Sequence, residues 1–180
     1  MHQKGSTKNL EGGTRMKQLT TPLTEEAVSR LKTGERVLLS GKIYTARDAA
    51  IPKLVELIKE DRLGDLDLQG QVIFHTAVSP AGVGPTSSNK LEIEENMGIL
   101  SDAGIKMHLG KGKISEKTIK ILEEKNAVYA VMAPVTALLE SRTLARRVAA
   151  FPELGMEAMH ELEVRDFPVI IASARGTSVY

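Results

Sequence analysis

An α/β layer fold with at least partly parallel strands is predicted for this chain by three observations. Short apolar runs of strand type alternate with helical patterns along most of its length. Hydrophobic residues make up 42% of the chain and aromatic residues only 3%, so its core is expected to be aliphatic. Its 180 residues fit one compact domain better than two.

The elements follow in order. Residues 1–15 mix Gly, Ser, Lys, Asn and Glu with Leu10 as the only large apolar residue after Met1, and are expected to be a disordered extension or an added start. Residues 16–180 then form the single domain. Thr24-Glu25-Glu26 ahead of Ala27, Val28 and Leu31 reads as a capped short helix closed by Gly34. Arg36 to Tyr44 reads as a strand broken near Gly41. A helix is expected from about Ala46 to Asp61, burying Leu54, Val55, Leu57 and Ile58, with Pro52 delaying its start or bending it. Asp65 to Gly70 turns into a strand from Gln71 to Ala77, and the loop Val78 to Ser88 ends at a helix start. That helix runs to Ala103 with Leu91, Met97 and Leu100 inward, and Gly104 ends it. A short strand Ile105–Leu109 leads to the turn Gly110-Lys111-Gly112, and Ser115 caps a helix to Lys125 with Ile119 and Leu122 facing the core. Val128–Ala133 reads as a buried strand and Ala137–Arg142 as a short helix. Strands at Arg146–Phe151 and Val169–Ala174 close the chain, with turn signals at Pro152, at Asp166-Phe167-Pro168 and at Arg175-Gly176.

Composition narrows the chemistry. Lys plus Arg is 24 and Asp plus Glu is 23, a net charge of +1 that is too balanced for a nonspecific polyanion binder. With no cysteine, the chain has no disulfide, thiolate nucleophile or cysteine-held metal cluster of its own. Neither a signal-type apolar run nor a stretch approaching the roughly 18 residues of a membrane span is present, so a cytoplasmic location is expected. There is no GxGxxG or GxxxxGK[ST] to support a nucleotide site.

Three stretches carry polar groups that packing does not require. In Ser40 to Ala50, Arg47 stands at a helix start, either facing an anion with the free N–H groups or pairing with Asp48 or a strand edge. In Gly84 to Lys90, three hydroxyls and a lysine gather at a helix N-terminus, either as a carboxylate or phosphate site or as an ordinary Ser/Thr cap. In Gly110 to Lys113, two glycines let the backbone approach a ligand beside Lys111, or make a tight turn with solvated lysines. His75, His108 and His160 lack zinc-site spacing and read as packing or surface residues.

Taken together, Leu38-Leu-Ser-Gly-Lys-Ile-Tyr-Thr-Ala-Arg-Asp-Ala-Ala50, Gly84-Pro-Thr-Ser-Ser88, Ile99-Leu-Ser-Asp-Ala-Gly104, Gly110-Lys-Gly112, Glu153-Leu-Gly-Met-Glu-Ala158 and Asp166-Phe-Pro168 resemble the β subunit, or C-terminal domain, of class I fumarate hydratases and L-tartrate dehydratases. The resemblance covers about Leu19 to Tyr180. It implies a swivelling β/β/α domain and a hydro-lyase in which a separate α subunit carries a [4Fe–4S] cluster, while this chain carries no cofactor or metal. It also implies hetero-oligomer formation, with a homodimer open to the isolated chain, and inactivity without the α subunit. By position in the motifs, Thr86 is the proton-transfer residue, and Arg47, Ser87, Lys90 and Lys111 bind a small dicarboxylate, fumarate first and tartrate next. Nucleic acid and membrane partners are not implied. The chain departs from the family pattern at Ser87, Lys90 and Leu91, where Thr-x-x-Arg-Met is usual, at Ile51 in place of a histidine, and at Ala133-Pro134-Val135-Thr136 in place of a small-residue turn. A lysine neutralises a carboxylate but lacks the paired bonds of a guanidinium. The alternative is a noncatalytic domain of the same fold that binds a carboxylate or a protein partner.

Overall fold

A computed structural model describes residues 7–8, 16–80, 82–86, 90–132 and 140–180. Its frame is a run of parallel strands: β2 (Met16–Thr20) beside β3 (Arg36–Thr45), β3 beside β4 (Val72–Phe74), β4 beside β7 (Met107–Gly110), and β7 beside β8 (Val128–Val131). A two-residue strand β1 (Thr7–Lys8) pairs antiparallel with β2. The long strand β10 (Met159–Ala174) runs antiparallel to β3 along one edge and to β8 along the other. The pairings β3, β4, β7, β8, β10 and back to β3 therefore close into a small barrel. Strand β9 (Thr143–Ala150) pairs with the first half of β10, and β11 (Thr177–Ser178) folds back on its end. A separate hairpin joins β5 (Thr76–Ser79) to β6 (Gly82–Thr86). The fold is a mixed α/β one dominated by its sheet.

Strand alternation divides the apolar residues into two cores. Val72 and Phe74, Met107 and Leu109, and Val128 and Ala130 point into the barrel, where Phe74 meets Phe167 edge to face with ring centroids 6.0 Å apart. The intervening Ile73 and Tyr129 face outward onto Leu54, Met97, Leu100 and Leu122 of the covering helices. His108 occupies the same outward row, in register with Ile73 on one side and Tyr129 on the other. With three phenylalanines in the chain, both cores are mainly aliphatic, as the composition requires.

Helices with side-chain caps begin where their sequences indicate. Thr24 accepts from the Ala27 N–H to open α1 (Glu25–Ser29), and Ser115 accepts from the Thr118 N–H to open α4 (Glu116–Glu124). The helix expected from Ala46 begins later, as α2 (Ala50–Lys59). Pro52 then falls in the first turn, where its missing N–H has no carbonyl waiting for it. In α3 (Lys90–Asp102) the buried stripe is Ile93, Met97 and Leu100, and Leu91 is exposed, contrary to the expected inward set. At 100° per residue positions 93, 97 and 100 fall within about 60° of one another, whereas position 91 lies far round the helix from 97.

Two expected breaks are not breaks. β3 runs on through Gly41, which stays in register with Val164 and whose φ of +107° and close approach to the Thr21 side chain exclude a Cβ. The predicted turn at Asp166 to Pro168 is a bulge within β10, where the Asp166 N–H donates to the Ser40 hydroxyl at 2.9 Å and the register to β3 shifts. Conversely, the single strand expected over Gln71–Ala77 is split at His75, and the following loop contains the β5–β6 hairpin. Residues 133–136 and the first half of the helix expected at Ala137–Arg142 lie outside the described residues, and residues 140 and 141 are helical. Among the described residues, no helix is long and apolar enough to cross a membrane.

Candidate active site

The carboxyl ends of parallel strands leave backbone groups and loop side chains at a common edge, the usual place for a ligand in such sheets. β3 ends one residue before Ala46, whose N–H donates to the Phe74 carbonyl at 3.0 Å and so ties the departing chain to β4. Arg47 follows, and its own carbonyl accepts the Ala50 and Ile51 N–H groups that start α2. Its side chain is about a quarter exposed, and the Nε is buried. The Nε lies 3.1 Å from Glu157 Oε1, in an ion pair not aligned as a hydrogen bond, and Nη2 lies 3.8 Å from Asp48. Glu157 ends the 3-10 turn Pro152–Glu157, 110 positions along the chain. The local Asp48 contact is thus the longer of the two.

Lys111 is the first residue after β7 and takes part in no hydrogen bond or ion pair with the described residues. Gly110 before it packs against the Tyr129 ring, so that a Cβ there would meet the phenol oxygen at 2.9 Å, and Gly112 after it turns at a φ of +70°. Thr86 ends β6, with its backbone in register opposite Thr76. Lys90 begins α3. The side chains of Thr86 and Lys90, and the whole of Ser87, lie outside the described residues.

These segments meet around His75, a residue that the sequence marks only as a histidine in an apolar run. Its backbone N–H donates to the Leu109 carbonyl at 3.0 Å, two residues before Lys111. Its ring Nδ1 lies 3.1 Å from the Ala46 carbonyl, directly before Arg47. The next residue, Thr76, is the register partner of Thr86. His75 therefore links the arginine loop, the strand ending at the threonine and the lysine turn. A polar ring at the end of a central parallel strand, between two glycine-bearing loops, is the signal that could have singled it out.

The ring is 1% exposed and stacks on His108 with centroids 5.7 Å apart and planes inclined by 4°. Desolvation pushes the His75 pKa down to about 4, against smaller opposing effects from the Ala46 carbonyl and Asp48. Desolvation and the neighbouring His75 hold His108 well below its ordinary value. Both rings are neutral at pH 7. One nitrogen of each has no hydrogen-bond partner among the described residues, Nε2 of His75 and Nδ1 of His108, while His108 Nε2 is 2.9 Å from the Ser101 hydroxyl. A cavity of about 20 Å³, room for a water-sized group, is lined by His75, Lys111, Gly110, Glu94, Met97 and Tyr129. Glu94 also accepts the Ser115 N–H at 2.6 Å, and burial raises the Tyr129 phenol pKa. His160 packs under Thr45, with Nδ1 at 2.9 Å from the Ala158 carbonyl.

The family model described as Fumarase C-terminus matches residues 2–180. The chain belongs to that family. This fumarase C-terminus chain is 35% identical over 173 residues to a Methanocaldococcus jannaschii protein named "Putative L(+)-tartrate dehydratase subunit beta", with 88% of each chain covered. It is 28% identical to the L(+)-tartrate dehydratase subunit beta of Escherichia coli strain K12, over 87% of this chain and 82% of that one. Against the anaerobic class I fumarate hydratase of the same strain it is 29% identical over 87% of its own length, but spans only 29% of the enzyme. The fumarase C-terminus chain has no cysteine, and its described residues include no group of three or more His, Asp or Glu placed to hold a metal ion. Its own residues do not fit an iron–sulfur cluster.

Proposed function

We propose that this chain is the β subunit of a hydro-lyase that adds water to, or removes it from, a small dicarboxylate, with fumarate and malate as the first substrate pair and tartrate as the next. The observation that carries the reading is the meeting of the Arg47 loop, the strand ending at Thr86 and the Lys111 turn on one residue, His75, at the carboxyl edge of the parallel strands. Arg47, Lys90 and Lys111 offset the two carboxylates, with Ser87 as a further hydrogen-bonding group. In hydration a hydroxyl joins one alkene carbon and a proton the other; Thr86 is assigned to the proton. The [4Fe–4S] cluster of a class I enzyme belongs to the α partner, and this chain closes against it as a swivelling β/β/α domain, in the cytoplasm. The 20 Å³ cavity is too small for a four-carbon acid, which supports a substrate site completed outside it.

The test is anaerobic co-purification with the α chain and assay on fumarate, L-malate and tartrate. Turnover of at least one is expected from the pair and none from this chain alone. Arg47→Ala and Thr86→Ala should each lower kcat/KM at least about a hundredfold without loss of folding. An intact pair that turns over none of the three acids would favour a noncatalytic carboxylate- or partner-binding domain.

A further inference from the structure

The Ala46 carbonyl can only accept, so the His75 Nδ1 at 3.1 Å must carry the proton of that hydrogen bond. In a neutral ring the other nitrogen, Nε2, is then an acceptor with a free lone pair. It is buried, has no hydrogen-bond partner among the described residues, and belongs to a residue that lines the cavity beside Lys111. A buried acceptor of this kind rejects a carboxylate, whose oxygens also only accept, and calls for a donor. The cavity has room for one water-sized group. Arg47 and Lys111 hold carboxylates equally well on hydroxylated and unhydroxylated acids, so a preference between the two needs a different group.

We infer that His75 contacts the ligand and sets specificity: its Nε2 accepts a hydrogen bond from a hydroxyl of the bound acid, a contact made by malate or tartrate and absent from succinate. This rests on the dicarboxylate reading above. The surrounding groups leave the acceptor role intact. His108 stacks on the ring face with a neutral imidazole, Asp48 acts on the ring only at long range, and Glu94 is engaged with the Ser115 N–H.

Two substitutions separate the ring nitrogens. His75→Asn keeps a donor near the Nδ1 position for the Ala46 carbonyl and removes the Nε2 acceptor. His75→Gln keeps a polar group at the Nε2 position instead. In the α–β complex, binding of L-malate, tartrate and succinate is measured by titration calorimetry, with folding of each variant checked by circular dichroism. For His75→Asn the hydroxylated acids are expected to bind about three- to tenfold more weakly, the size of one neutral hydrogen bond, with succinate within about twofold of the unmodified complex. His75→Gln should retain most of the discrimination, and His75→Leu, which removes both ring nitrogens and should weaken the hydroxylated acids selectively, replaces His75→Asn if that variant does not fold. Equal weakening of all three acids, or no change in the variant that removes the Nε2 acceptor, overturns the inference. Failure of the unmodified complex to bind any of them overturns the functional reading, and this one with it.

Discussion

Acidification from pH 8 to pH 5 is expected to weaken this domain through its buried imidazoles. His75 has a native pKa of about 4, against 6.5 when solvated. Because the native value is depressed, the unfolded chain binds more protons between these two values, and stability falls as the pH drops through that window. Above pH 6.5 the effect is absent, and it is complete below about pH 4. Each pH unit inside the window costs about 1.4 kcal/mol per group, so His75 alone removes about 2 kcal/mol by pH 5. His108, shifted the same way by burial and by the neighbouring His75, adds a loss of the same sign. Against a typical total of about 5–15 kcal/mol, that is a large share.

Urea denaturation of the 180-residue chain at pH 8, 6.5 and 5 reads this directly. With a slope of about 2 kcal/mol/M, the midpoint should drop by about 1 M from His75 between pH 6.5 and 5, with His108 acting in the same direction. Between pH 8 and 6.5 it should barely move. Glu25 and Glu153, whose pKa values are lowered from 4.5, lose their contribution only as the pH falls below about 4.5, outside the measured interval of pH 6.5 to 5. A His75→Gln/His108→Gln double variant should lose most of the slope. The reasoning is refuted if the unmodified midpoint stays level down to pH 5, or if the double variant keeps the same acid dependence.

Two glycines test backbone sterics separately from conformation. Gly34 and Gly70 have φ of +84° and +71°, but a Cβ at Gly34 meets open space, while one at Gly70 strikes the Leu23 backbone carbonyl. Gly34→Ala should cost about 1–2 kcal/mol in urea denaturation and Gly70→Ala at least about 2 kcal/mol more. Glu157→Gln should lower kcat of the α–β complex about tenfold by loosening the Arg47 guanidinium, while shifting Tm by only a few degrees, since the partly exposed pair is not aligned as a hydrogen bond and the amide keeps the shape of the carboxylate. Unchanged kcat in a folded Glu157→Gln complex would mean that Arg47 is not positioned by that carboxylate.

What the chain discloses before folding is mostly local. Thr24 and Ser115 cap their helices through bonds spanning three residues, and those helices start where the sequence puts them. Arg47 and Lys111 stand beside punctuation that the sequence displays, a helix start and a glycine turn. The barrel was not legible, because closure depends on β10 pairing with β3 at a separation of more than a hundred residues. Asp166, Phe167 and Pro168 look like a turn in isolation and become a bulge only because Ser40 is there to accept the Asp166 N–H. The contact of Glu157 with Arg47 is hidden for the same reason: the motif Glu153–Ala158 is visible in the sequence, but nothing in it points to an arginine 110 positions earlier. Leu91 differs in kind: its apolar type suggests an inward position, but the helical period places Ile93 inward with Met97 and Leu100 and leaves Leu91 exposed.

His75 joins the energetic and chemical sides of the fold. A buried acceptor without a partner costs about 1–3 kcal/mol, and a neutral buried histidine adds the acid sensitivity worked out above. A residue needed only for packing would carry neither liability; a leucine in this apolar row would fill the space without them. His75 nonetheless lies where its two backbone-directed bonds hold the Arg47 loop and the strand before Lys111 in one frame. The first bond uses Nδ1 and fixes the tautomer, and the lone pair at Nε2 follows from it with no further choice. Unsatisfied buried polar atoms in native proteins call for a specific explanation. Here a ligand hydroxyl supplies one, since it would pair the orphaned nitrogen only in the bound state and so turn a cost to the free domain into selectivity of the complex.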